Sequence, residues 1–127
     1  MSPGHEIIFR ELEILGYTPK VYQEQPNYAD GFIAFNFKVP IGRFRGQEIE
    51  VAINATQFPL IPPSGPYISP LLLPFKSGSV PPFDGIHQRQ VPTAEFQYWS
   101  RPFNGWSDTQ KNMKTYIAFL RTLFDFE

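Results

Sequence analysis

The 127-residue chain reads as one α+β domain in which helices lie against one face of an antiparallel sheet. Three observations lead there. Apolar residues repeat with helical period near both ends; two stretches between them alternate strictly; and the prolines gather between Pro59 and Pro102 among bulky aromatic residues. Helices and strands segregated in this way along a chain are the mark of α+β architecture. The length suits a single core, residues 1–127, and is too short for two ordinary domains.

The first element is a short amphipathic helix in "SPGHEIIFRELEILGY". Ser2 is placed to cap it, Pro3 suits the first helical position, Ile8, Leu12 and Leu15 form one stripe, and Gly16 is the stop. "FIAFNFKVP" then sets Ile33, Phe35, Phe37 and Val39 on one side and Ala34, Asn36 and Lys38 on the other, a strand with one buried face. After a turn containing Gly42 and Gly46, "EIEVAINA" repeats the alternation with Ile49, Val51 and Ile53, which makes the pair a hairpin.

"FPLIPPSGPYISP" follows, and its prolines exclude a helix or a central strand for most of its length, although its interleaved apolar residues predict a rigid, packed stretch with Phe58 buried. Only "GPYIS" remains as a third short strand. Residues 71–107 show no periodicity but carry Phe75, Phe83, Phe96, Tyr98, Trp99, Phe103 and Trp106, which predicts a loop region packed onto the body. The final segment, "SDTQKNMKTYIAFLRTLF", has Ser107 and Gln110 at capping-box spacing and places Met113, Ile117, Leu120 and Phe124 on one stripe of a helix.

Composition narrows the function. A hydrophobic content of 42% and 13 Phe exclude the low-hydrophobicity signature of disorder. A formal net charge of -1 leaves no electrostatic footprint for nucleic acid or an anionic membrane. The longest apolar run, "LLLPF" from Leu71, is far short of a membrane span, and the start has no signal-peptide pattern, so the expected location is cytoplasmic. With no cysteine, thiolate metal sites and a thiol nucleophile are excluded on this chain. His5 and His87 each lack a second ligand at short range, and the acidic pairs Glu11 with Glu13 and Asp125 with Glu127 have no metal-ligand spacing; no metal or cofactor is expected.

The order of elements, with Phe58, Pro59, Leu60, Ile61, Pro62 and Pro63 after the second strand, resembles the ubiquitin-conjugating-enzyme (UBC) fold and its proline turn of the type [FY]-P-x-x-P-P. In that fold the turn fixes the chain between two strands. "VPTAEFQYWSRPFNGWSDTQKNMKTYIAFLRTLF" is similar to the C-terminal part of the prokaryotic family E branch, whose W-S-R element and following Trp fall on Trp99, Ser100, Arg101 and Trp106; Pro102 stands where members frequently carry His. The resemblance implies a role beside ubiquitin-like proteins and activating-enzyme homologues in a bacterial modification pathway. It does not extend to thioester chemistry, because there is no cysteine, and the His-Pro-Asn element of the fold is missing.

Two functional readings remain open. In the first, the chain is a non-catalytic component that binds an activating-enzyme homologue or a ubiquitin-like protein. The outer face of the first helix, which commonly meets the activating enzyme in this fold, would carry His5, Glu6, Arg10, Glu11 and Glu13, with Trp99 and Arg101 as possible anchors of the type that dominates interfaces. A core role for both indoles, with Arg101 bonded to the loop, is the alternative. In the second reading, Ser77, Ser79 or Ser100 carries the modifier as an oxyester, with His87 as base and Asp84 orienting it. Turn serines beside Gly78 are the plainer account of Ser77 and Ser79. Pro59, Pro62 and Pro63 are read as architecture.

Overall fold

The computed structural model describes residues 1–75 and 80–127. Helix α1 (Pro3–Ile14) starts as its sequence signals, with Ser2 Oγ accepting from the His5 N–H at 3.2 Å and Pro3 in the first turn. It ends in a Schellman motif. Tyr17 N–H reaches back to the Leu12 carbonyl at 2.9 Å and Gly16 N–H to the Glu13 carbonyl at 3.0 Å, with Gly16 at φ 96°. Ile8 and Leu12 are fully buried; Leu15, expected on the same stripe, sits at the cap and is 38% exposed.

Strands β1 (Lys20–Tyr22), β2 (Phe32–Lys38), β3 (Glu48–Ile53), β4 (Tyr67–Ser69), β5 (Ile86–His87) and β6 (Gln97–Trp99) form one sheet in the order β1-β2-β3-β4-β6-β5. Every pairing is antiparallel. The β2–β3 hairpin has the expected partners, with Phe35 opposite Val51 and Phe37 opposite Ile49. The sheet has six strands rather than about three. β1, β5 and β6 have two or three residues each, too few to display an alternation, and they are strands only through long-range partners such as Tyr98 opposite Tyr67.

Both faces of the sheet are covered, which corrects the single buried face read from β2. On the helical face, Ile33, Phe35, Val51 and Ile53 pack with Ile8 and Leu12 of α1 and with Met113, Ile117 and Leu120 of the C-terminal helix. On the opposite, tyrosine face, Phe32, Ala34, Ala52, Tyr67, Phe96 and Tyr98 form a second cluster with half-buried Tyr22, Tyr28 and Val91 around it. The loop after β1 and the loop before β6 meet over this cluster, where Gln25 Nε2 donates to the Pro92 carbonyl at 2.8 Å. Asn36 and Lys38, further along β2, stay exposed as expected.

Helix α2 (Met113–Thr122) begins later than the Ser107–Gln110 spacing suggests. Residues Trp106–Asp108 make one 3₁₀ turn, Thr109 is extended, and Lys111 at φ 53° turns the chain before Asn112 caps the helix by accepting from the Thr115 N–H at 2.9 Å. Met113, Ile117, Leu120 and Phe124 are all buried, as the stripe predicts. A second cap arrives from α1, where Glu11 Oε1 accepts from the Met113 N–H at 2.7 Å; a carboxylate at a helix N-terminus also opposes the positive end of the helix dipole. Among the described residues, no helix is long and apolar enough to cross a membrane.

Candidate functional site

The proline turn is a buttress built from buried rings. Phe58 is buried beside Trp106 at a ring separation of 5.8 Å. Trp106 Nε1 donates to the Pro59 carbonyl at 2.8 Å, so the indole closes the core and fastens the turn at once. Pro63 is buried and Pro62 half-buried, while Pro59, Leu60 and Ile61 are exposed. A side chain at Gly65 would run into the Trp99 carbonyl, so the chain leaving the turn lies directly on the stretch that follows β6.

That stretch does not present the anchors the sequence suggested. Trp99 is fully buried, ring to ring with Phe124 at 5.2 Å, and its Nε1 donates to Gln97 Oε1 at 3.0 Å. It belongs to the core, because β6 alternates and the position that pairs with Ile86 faces the helices. Arg101 is held from within. Its Nη1 donates to the carbonyls of Asp84 (2.8 Å) and Ser100 (3.0 Å), and its Nη2 to that of Pro82 (2.9 Å). The guanidinium thus fixes residues 82–84 against the end of β6 and has few donors left for a partner.

The nucleophile reading gains no geometry here. Ser77 and Ser79 lie outside the described residues. Ser100 is half-buried, its N–H donates to the Gly85 carbonyl at 2.9 Å, and among the described residues its hydroxyl makes no hydrogen bond. His87 is exposed and stacked on Tyr98 at 5.8 Å. The Asp84 carboxylate, expected to orient His87, stands 3.8 Å from Arg101 Nη2 instead. A serine, its base and the base's orienting carboxylate are therefore not assembled among these residues.

On α1 the expected partner face divides. Glu6, Arg10 and Glu13 are exposed, and Ile14 beside them is 78% exposed. Glu6, Arg10 and Glu13 form no ion pair among the described residues. His5 is fully buried and accepts from the Ala55 N–H at 2.9 Å through Nε2. The reason is Gly4: with no side chain there, the first turn of α1 sits against the Ala55 and Thr56 carbonyls and carries His5 inward. Burial holds this imidazole below its usual range.

Sequence reasoning missed two polar side chains that organise this region. Gln97 is fully buried, its Oε1 accepting from the N–H groups of Leu72 and Leu73 (3.1 Å each) and its Nε2 donating to the Leu73 carbonyl at 2.8 Å. Its signal was a lone amide inside the aromatic run "EFQYW". Glu11, expected on the outer face of α1, is half-buried and supplies a second cap to α2. No group of three His, Asp or Glu side chains arranged to hold a metal occurs among the described residues. Comparison with known proteins identifies no match for this chain among family models, curated proteins or solved structures.

Proposed function

We propose that this chain is a UBC-like, non-catalytic component of a ubiquitin-like protein modification pathway that binds an activating-enzyme homologue through the outer face of α1. The observation that carries the reading is that face itself. A helix docked along one side leaves Glu6, Arg10 and Glu13 without ion-pair partners among the described residues, around an almost bare Ile14, a charged rim around an apolar centre of the kind protein interfaces use. The [FY]-P-x-x-P-P turn with its buried Phe58, lying between a strand meander and a C-terminal helix, supports the UBC-like assignment. With no cysteine in the chain, a thioester cannot form on it.

The test is a pull-down and a conjugation assay on the same variants, using the activating-enzyme homologue and the ubiquitin-like protein of the source genome. Arg10→Glu and Glu13→Arg should weaken association about tenfold, since reversing a rim charge changes encounter and register. Single Ala replacements of Ser77, Ser79, Ser100 and His87 should leave complex formation and pathway output unchanged. A hydroxylamine-sensitive adduct that disappears with one of those serines, while binding persists, would replace this reading with the oxyester one.

A further inference from the structure

Three chain segments meet where α1 joins the sheet, and an imidazole fastens two of them. His5 is fully buried, and its Nε2 accepts from the Ala55 N–H at 2.9 Å, so that nitrogen is unprotonated and the neutral ring carries its proton on Nδ1. Among the described residues Nδ1 closes no hydrogen bond, although the nearby Asp30 backbone favours the protonated ring. A Cβ added at Gly4 would stand 2.5 Å from the Thr56 carbonyl oxygen and 2.7 Å from that of Ala55, so the first turn of α1 has no room to shift around the ring. One residue earlier, Asn54 Nδ2 donates to the carbonyls of Ala29 (3.1 Å) and Gly31 (2.6 Å), fastening the Asp30 loop to the same end of β3.

We propose that this junction is a proton-operated latch: protonation of His5 turns its one engaged acceptor into a donor facing the Ala55 N–H and releases the first turn of α1 from the end of β3. Two donors would then oppose each other at Nε2, and a charged ring would be buried with only the Asp30 backbone and carboxylate to offset the loss of solvent. Both changes favour opening. The inference rests on the junction alone and holds whether or not α1 meets a partner.

The titratable groups facing His5 are Asp30, from the loop after β1, and the N-terminal amine. Asn54, Ala55 and Thr56 at the end of β3 add none, and Glu6, next to it on α1, is exposed. Burial is the largest influence on the ring and lowers its proton affinity; the Asp30 backbone and carboxylate oppose it more weakly, and the amine reinforces it. The unfolded chain therefore takes up the proton first. The latch is intact above about pH 6.5 and is lost as the pH falls from there through the lowered folded value.

Amide hydrogen exchange on the whole chain, followed by NMR from neutral pH down to about pH 4.5, tests this. Corrected for intrinsic exchange, protection of the Ala55 amide should fall about tenfold per pH unit from about pH 6.5 down to the lowered value of the folded ring, as coupling to one proton requires. His5→Gln offers a side-chain oxygen as acceptor and has no proton to gain, so its Ala55 protection should stay flat. Asp30→Asn removes a charge that favours the imidazolium and should move the midpoint to lower pH. If His5→Gln does not fold, the wild-type ring decides: His5 must titrate below the ordinary imidazole range, at the pH where Ala55 protection stops falling. Protection that is flat in the wild type, an equal fall in His5→Gln, or a ring that titrates while Ala55 stays protected would each overturn the latch.

Discussion

The two faces of the sheet use the same strands to build different kinds of interior. On the helical face, neighbours such as Phe35 and Val51 or Phe37 and Ile49 meet two helices, and the contact is almost wholly apolar. On the tyrosine face, Ala34 and Ala52 make a low floor, and the rings of Tyr28, Phe32, Tyr67 and Tyr98 lie across it with centroids 4.8 to 6.0 Å apart. Helices can cover a face without leaving polar groups behind because their backbone bonds are internal. Loops cannot. The loop-covered face is accordingly finished with side chains that are apolar in the ring and polar at the tip, such as Tyr67, whose hydroxyl donates to that of Tyr28 at 3.2 Å.

Substitutions should separate the faces by size of effect. Leu120→Ala, on the fully buried stripe of α2, should cost about 2–5 kcal/mol in urea melts, the range for emptying a buried aliphatic site. A loss under about 0.5 kcal/mol would mean that α2 is not packed on the sheet as described. Tyr67→Phe should cost less, about 0.5–1.5 kcal/mol, because it keeps the ring and removes one half-buried hydrogen bond. Its hydroxyl is held well above the usual tyrosine range, first by burial and then by the Tyr28 hydroxyl, so absorbance titration should show it ionising later than a free tyrosine.

The smallest effect belongs to the helical face, at a polar lapse. Tyr116 is fully buried, its hydroxyl has no hydrogen-bond partner among the described residues, and burial raises its proton affinity. Tyr116→Phe should leave stability unchanged or raise it by up to about 1 kcal/mol, since it removes an unpaired group and keeps the ring. A clear loss would show that a water or an unseen partner satisfies the hydroxyl, and the contrast between a dry face and a wet one would weaken.

The helical face was legible in the sequence and the tyrosine face was not. Ile8, Leu12, Ile117 and Leu120 announce themselves by helical spacing, and the β2–β3 hairpin by strict alternation, because those periods follow from local geometry alone. The second face depends on strands of two or three residues and on a ring supplied from a loop at Tyr28, and no local pattern encodes their meeting. Phe58 at the head of the proline stretch is inside as read, but Pro59, Leu60 and Ile61, expected to pack, are exposed. Within the candidate site, Glu6, Arg10 and Glu13 face outward as expected, but His5 and Trp99 do not. Helical spacing alone could not reveal that Gly4 draws α1 against the Ala55 and Thr56 carbonyls, and the residue-type preferences of interfaces, which suggested Trp99, apply equally well to cores.

The strand lengths bear on how copies of this chain behave toward one another. The longest strands, β2 with seven residues and β3 with six, lie inside the sheet, while the two edges are β1 with three and β5 with two. A neighbouring molecule that tried to extend the sheet would find only a few free backbone groups on either side, which is how folded proteins discourage edge-to-edge growth. "FIAFNFKV" is another matter when unpaired, since it is rich in aromatic and β-branched residues, carries a single charge and contains no proline. The tendency to aggregate therefore resides in the unfolded chain, and enclosing β2 between β1 and β3 is the step that removes it.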